Sequence, residues 1–227
     1  MTEAIALAGE TAISIDTAHG PLHGLLTLPA RAAALIVLGH AGASPENRDD
    51  ALAVVLRHAG LATLTLDLLT PAEERFADNH HNVALLARRL LDGLTRIKRR
   101  MLTAELPRLP IGLCAAGDCS PVALRVAAQR DRDVFAVVCR GGLIDLAGVL
   151  YLRTLVSPLL VLVGADETRV EASNRRALRE VTGRQELKRQ PASGDAADAA
   201  AAFEWLARET ACWFVHHLPP AVRTADA

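Results

Sequence analysis

The stretch Leu109-Pro110-Ile111-Gly112-Leu113-Cys114-Ala115-Ala116-Gly117-Asp118-Cys119-Ser120-Pro121 carries the pattern on which the fold turns. Leu109 to Leu113 reads as a buried strand, a run of small residues follows, and Ser120 and Pro121 then signal a helix as its N-cap and first residue. The same unit recurs on both sides. Upstream, Ala33 to Leu38 is a strand, and Asn47 to Ala59 a helix with Ala51, Val54 and Val55 at helical spacing and Gly60 as its stop. Leu61 to Leu66 and Val83 to about Arg100 repeat the pattern. Downstream, Val134 to Cys139, Pro158 to Val163 and Glu186 to Gln190 read as strands, and Val170 to Glu180 and Ala199 to His217 as helices. Parallel strands need crossover helices, and those helices bury both sheet faces. The pattern therefore describes an α/β fold with a sheet of about eight strands, mostly parallel, and helices on both faces. Thr11 to Asp16 and Leu22 to Leu28, joined at Ala18-His19-Gly20, open it as an antiparallel hairpin.

Composition narrows the function classes. The 227 residues suit one domain, 1–227, and 51% apolar against 22% charged residues suits a packed core. Lys and Arg number 25 against 26 Asp and Glu, so there is no field to attract nucleic acid or an anionic membrane. Apolar runs such as Ala32 to Gly39 fall far short of the ~20 residues that span a bilayer. Glu3 and Glu10 stand where a secretory signal carries cations, and Cys114, Cys119, Cys139 and Cys212 lack metal-type spacing, so a reducing cytoplasm is expected. Aromatic residues make up only 3%, so a mainly aliphatic pocket is expected.

In an open α/β sheet, ligands bind beyond the carboxyl ends of the strands. The segments to inspect are Gly39 to Ser44, Asp67 to Thr70, Cys114 to Ser120, Arg140 to Gly142, Gly164 to Thr168 and Pro191 to Asp198. Taken with the strand order, Gly112-Leu113-Cys114-Ala115-Ala116-Gly117, Asp67-Leu68-Leu69-Thr70-Pro71, Val163-Gly164-Ala165-Asp166 and Trp213-Phe214-Val215-His216-His217-Leu218 resemble the dienelactone-hydrolase-like branch of the α/β-hydrolases. The likeness covers nearly the whole chain and implies a nucleophile on a sharp strand-to-helix turn, with small residues two positions either side.

Four frames fit that turn. Gly117 stands where serine-bearing relatives keep the nucleophile, which would mean its loss. Cys114 gives Gly112-x-Cys-x-Ala116, the frame most like dienelactone hydrolase itself, although about six residues separate it from the expected helix start. Asp118 gives Ala116-x-Asp-x-Ser120, the aspartate arrangement of haloalkane dehalogenases and epoxide hydrolases, and Cys119 gives a frame with Pro121 at the bend. They rank in that order, and both cysteines also read as small buried hydrophobes.

The resemblance also implies a histidine after the last strand, but Pro191-Ala192-Ser193-Gly194-Asp195-Ala196-Ala197-Asp198 holds none. Asp195 stands in its place, a poor general base at an ordinary pKa near ~3.9, or simply a loop or helix-cap residue. Asp166 or Glu167 keeps the acid position; Asp195 beside either would leave the pair sharing a proton. His40 and Ala41 match the loop whose amides help form an oxyanion hole in the family. His216 and His217 read as solvated at a helix end, His80-His81 has no third ligand at useful spacing, and Arg96, Lys98, Arg99 and Arg100 suit a helix C-terminus.

Two functions follow. In the first, the pocket takes a small carbonyl-bearing or anionic ligand, as a non-hydrolytic binder or as an acid-base catalyst using Asp118, Asp166 and Asp195. In the second, the chain is an ester or lactone hydrolase with Cys114 or Asp118 as nucleophile and a base such as His40. An interaction module would need an exposed apolar patch that sequence does not reveal. No metal, cofactor, nucleic-acid or membrane partner is expected, and a homodimer is left open.

Overall fold

The computed structural model of the protein describes residues 9–18, 20–42, 48–191 and 196–220. Eight strands form one sheet: β1 (Thr11–Thr17), β2 (Gly20–Thr27), β3 (Leu35–His40), β4 (Ala62–Asp67), β5 (Ile111–Ala116), β6 (Val134–Arg140), β7 (Leu159–Val163) and β8 (Gln185–Arg189). Their order is β1-β2-β4-β3-β5-β6-β7-β8. β2 pairs antiparallel with both β1 and β4, and every other pairing is parallel. Gly20 closes the opening hairpin at φ +118°, a conformation that L side chains rarely adopt.

The helices are α1 (Asp49–His58), α2 (Pro71–Glu74), α3 (Val83–Leu102), α4 (Ser120–Gln129), α5 (Val149–Thr154), α6 (Thr168–Leu178) and α7 (Ala196–His216). Successive strand side chains point to opposite faces, so a strand covered on both sides is apolar throughout. β3 illustrates this. Leu35 and Val37 pack with Leu86, Leu90 and Leu94 of α3 and Val122 and Val126 of α4 in one core, while Ile36 and Leu38 pack with Leu52 and Leu56 of α1 and Phe214 of α7 in another. Each fully buried leucine contributes at most about 1.5–3 kcal/mol of transfer free energy.

The structure departs from the sequence reading in several places. β5 runs to Ala116, past the expected end at Leu113, because the small residues 114–116 pair in register with Val138 to Arg140 of β6. Ser120 is not an N-cap: a 3₁₀ turn over Gly117–Cys119 enters α4 first, and the Ser120 hydroxyl donates to the Gly141 carbonyl at 2.8 Å. The short helices α2 and α5 were not anticipated. α2 carries a capping box in Thr70-Pro71-Ala72-Glu73, with the Thr70 hydroxyl accepting from the Glu73 amide and the Glu73 carboxylate accepting from the Thr70 amide.

Among the described residues, no helix is long and apolar enough to cross a membrane.

Candidate functional site

The parallel strands present their carboxyl ends on one edge of the sheet, and β3 and β5 are adjacent there. Directly after β5 the backbone turns at Gly117, with φ +51°, and passes into the 3₁₀ turn and α4. This is a sharp strand-to-helix turn. A Cβ built on Gly117 would meet no atom within 4 Å, so the space ahead of this residue is open. The turn is braced from behind by Gly142, whose own Cβ would stand 2.0 Å from the Gly117 carbonyl oxygen.

Gly117 and Asp118 line a cavity of about 420 Å³ with His40, Ala41 and Gly42 from the end of β3, Asp49, His80 and His81. The Asp67 carboxylate, at the end of β4, accepts from the Gly42 amide at 2.9 Å and the Leu69 amide at 3.0 Å, tying together the loops after β3 and β4. Gly42 (φ +73°) is packed so closely that a Cβ would stand 2.7 Å from the His80 ring. His80 contacts two carbonyls, Ala41 O through Nδ1 and Glu74 O through Nε2, both at 2.9 Å. The Glu74 carbonyl raises its pKa above the ordinary imidazole value against the opposing effect of burial, aided by Ala41 O and the Glu74 and Asp67 carboxylates. His81 makes a different contact: its Nδ1 lies 2.5 Å from Oδ2 of Asp118.

The segment that carries both histidines is anchored from below. Arg89, buried in α3, pairs through Nη2 with Glu73 and donates through Nη1 to the Thr17 hydroxyl at 3.3 Å. Burial raises the Glu73 carboxyl pKa, but hydrogen bonds from Thr70 and the Arg89 guanidinium outweigh it, so the value lies below the ordinary one.

A second cavity, about 310 Å³, lies beside the first and shares Ala116 with it. Arg140, Gly141, Gly164 and Glu167 line it with Phe203, Trp205, Leu162 and Leu206. Two of the chain's few aromatic residues stand at this wall beside the aliphatic Leu162, Val163 and Leu206. Arg140 pairs with Asp49, and His40 Nδ1 stands 3.9 Å from the same carboxylate. A larger hollow, about 530 Å³, lies away from the strand ends against Ala59 and the last turns of α7, lined by Arg184, Glu186, Lys188 and Glu209.

The residues singled out in the sequence separate accordingly. His40, Ala41, Gly117 and Asp118 share one cavity, and Glu167 lines its neighbour with its carboxylate on the Gly164 amide at 2.7 Å. Asp166 is exposed and lines neither cavity. Cys114 sits inside β5, 1% exposed, where burial drives its thiol pKa to about 11 despite the nearby Arg140. Burial and then the Asp49, Asp118 and Asp67 carboxylates take Cys119 to about 12, and burial also raises Cys139. Asp195 lies outside the described residues. His217, read as solvated, is instead half-buried against Trp213, with ring centroids 4.1 Å apart.

Asp49, Asp67, Arg140 and His81 were not assigned site roles from sequence. Asp67 and Arg140 had a signal, each being a charge that ends an apolar strand. Neither Asp49, in the first turn of α1, nor His81 carries a local signal of a site role.

No family model matches the chain. It is 36% identical over 200 residues to a Mycobacterium tuberculosis protein named "putative phosphoribosyl transferase", a match covering 87% of this chain and 44% of that protein. The chain therefore spans less than half the length of the curated relatives it matches. Among solved structures, a cold-adapted esterase from an Arctic intertidal metagenomic library superposes with TM-score 0.70 at 17% identity, over 96% of this chain and 100% of that one, a likeness of fold alone. A dienelactone hydrolase from Anabaena variabilis superposes with TM-score 0.83 at 31% identity, over 93% of this chain and 99% of that one. With that identity over 93% of this chain and 99% of a solved member, the chain belongs to the dienelactone hydrolase family of the α/β-hydrolase fold.

Proposed function

We propose that the protein uses its strand-end cavity to hold a small carbonyl-bearing or anionic ligand and acts on it without forming an acyl-enzyme. Gly117 carries this reading: the residue at the strand-to-helix turn has left-handed φ and open space ahead, but no side chain to attack with. Asp195 in the place of the family's histidine would leave the Ser/Cys-His-Asp set incomplete at a second position. The buried thiols support the same reading, since a pKa of about 11 or 12 leaves almost no thiolate at neutral pH. The mycobacterial relatives are named for transferase chemistry, and this chain spans 44% of their length. Four free cysteines support a reducing, cytoplasmic setting.

Intact-mass analysis after treatment with a fluorophosphonate and with iodoacetamide at pH 7 tests the reading. No fluorophosphonate adduct is expected, alkylation is confined to exposed Cys212, and small lactones or carboxylates perturb the fluorescence of Trp205 beside the cavity. Stoichiometric alkylation of Cys114 with loss of esterase activity would establish a cysteine hydrolase instead.

A further inference from the structure

We infer that His81 and Asp118 form a general acid-base pair acting on a water molecule in the open space ahead of Gly117, so that the cavity hydrolyses a small activated ester or lactone directly. This rests on the reading that the cavity takes a carbonyl-bearing ligand without a covalent intermediate.

The pair comes from separate parts of the chain. Asp118 immediately follows the turn residue, and His81 ends the 3₁₀ segment Ala77–His81 held down by the His80 contacts and the Arg89–Glu73 ion pair. The 2.5 Å contact between His81 Nδ1 and Asp118 Oδ2 sets the imidazole tautomer, because a carboxylate accepts the Nδ1 proton and leaves Nε2 as the basic nitrogen. Among the described residues, Nε2 makes no hydrogen bond, and both side chains face the cavity that Gly117 lines. Removing a side chain from this turn leaves room where a nucleophile's oxygen would stand, and water is the small nucleophile that fits there.

The step balances without a further reactant. As the water oxygen bonds to the carbonyl carbon, its proton passes to His81 Nε2. The tetrahedral oxyanion then collapses, the bond to the leaving oxygen breaks, and that oxygen takes the proton back from Nε2, giving acid, alcohol and neutral imidazole. Asp118 keeps its charge and orients the ring throughout. The other titratable groups lining the cavity are His40, Asp49, His80 and Cys119.

The test uses the full chain with 4-nitrophenyl acetate as substrate and 4-nitrophenylacetone, a ketone that cannot be hydrolysed, as binding probe. Expected are turnover with no pre-steady-state burst of nitrophenol, a fall in kcat of about 10²–10⁴-fold in His81→Gln, and unchanged ketone affinity. The pH dependence of kcat/KM should differ between wild type and His81→Gln, and Asp118→Asn should lower kcat while Asp118→Glu restores part of it. Side-chain exposures of 69% for His81 and 53% for Asp118 mean that none of these changes disturbs the core. Full kcat in His81→Gln, or ketone binding by a wild-type protein that does not turn over, overturns the pair and leaves the binding reading standing. A burst, or an acyl adduct caught by mass spectrometry, overturns the binding reading itself, as does failure to bind either probe.

Discussion

Arg140 at the end of β6 and Asp49 at the start of α1, 91 positions apart, meet in an ion pair whose side chains are only 7% and 3% exposed. The contact joins the two cavities, since Asp49 lines one and Arg140 the other. Asp49→Asn would strand a buried guanidinium and should cost about 3–5 kcal/mol in urea denaturation, whereas the double change Asp49→Asn with Arg140→Met should recover much of that loss. Equal losses in the single and double variants would show that the pair is not the source.

The backs of two turns touch at Gly142 and Gly117. A methyl on Gly142 would stand 2.0 Å from the Gly117 carbonyl oxygen and 2.6 Å from its carbon, and the obstacle is backbone, with no side chain that could swing aside. Gly142→Ala should therefore cost about 3 kcal/mol or more. Gly117→Ala, at φ +51° with open space, should cost only about 1 kcal/mol. Similar melting temperatures for the two variants would contradict this packing.

Thiol reactivity should divide one to three. Cys212 is exposed and Cys114, Cys119 and Cys139 are buried. A chromogenic disulfide at pH 8 should release one equivalent quickly from the native protein and three more only on unfolding in guanidinium. Fast release of a second equivalent would mean that Cys114 or Cys119 is reachable in the native state.

His80 makes stability depend on pH. Its two ring nitrogens each face a carbonyl at 2.9 Å, and only the imidazolium can donate to both. The folded-state pKa is raised above the unfolded one, so the contribution is complete below about pH 6.5 and is lost as pH climbs through the folded value. Wild type should lose its advantage over His80→Gln over a window that begins at about pH 6.5 and extends upward, by under about 1 kcal/mol for this partly exposed group. A difference that stays constant across this window would show that the ring is not charged in the fold.

Much of the architecture was legible because burial on both faces leaves continuous apolar strands such as Leu35 to Leu38 and Leu159 to Val163, separated by amphipathic helices. The errors fell where side chains are small. Residues 114–116 carry no strand preference strong enough to mark the end of β5, so Cys114 read as a turn residue although it pairs inside the sheet. The Thr70-Pro71-Ala72-Glu73 capping box was readable from spacing, and its helix positions the histidines beside the cavity.

From the amino-acid order alone come the alternation of strands and helices, the opening hairpin, the glycine at the nucleophile frame and the thiols among apolar residues, because periodicity and local backbone preference are properties of neighbours in the chain. Only the tertiary structure decided that Asp49 pairs with Arg140, that His81 meets Asp118, and that Phe203 and Trp205 wall one cavity. The reason is distance along the chain. Contacts between residues 37 and 91 positions apart depend on which loops the sheet order brings to a shared edge, and no local pattern encodes that order.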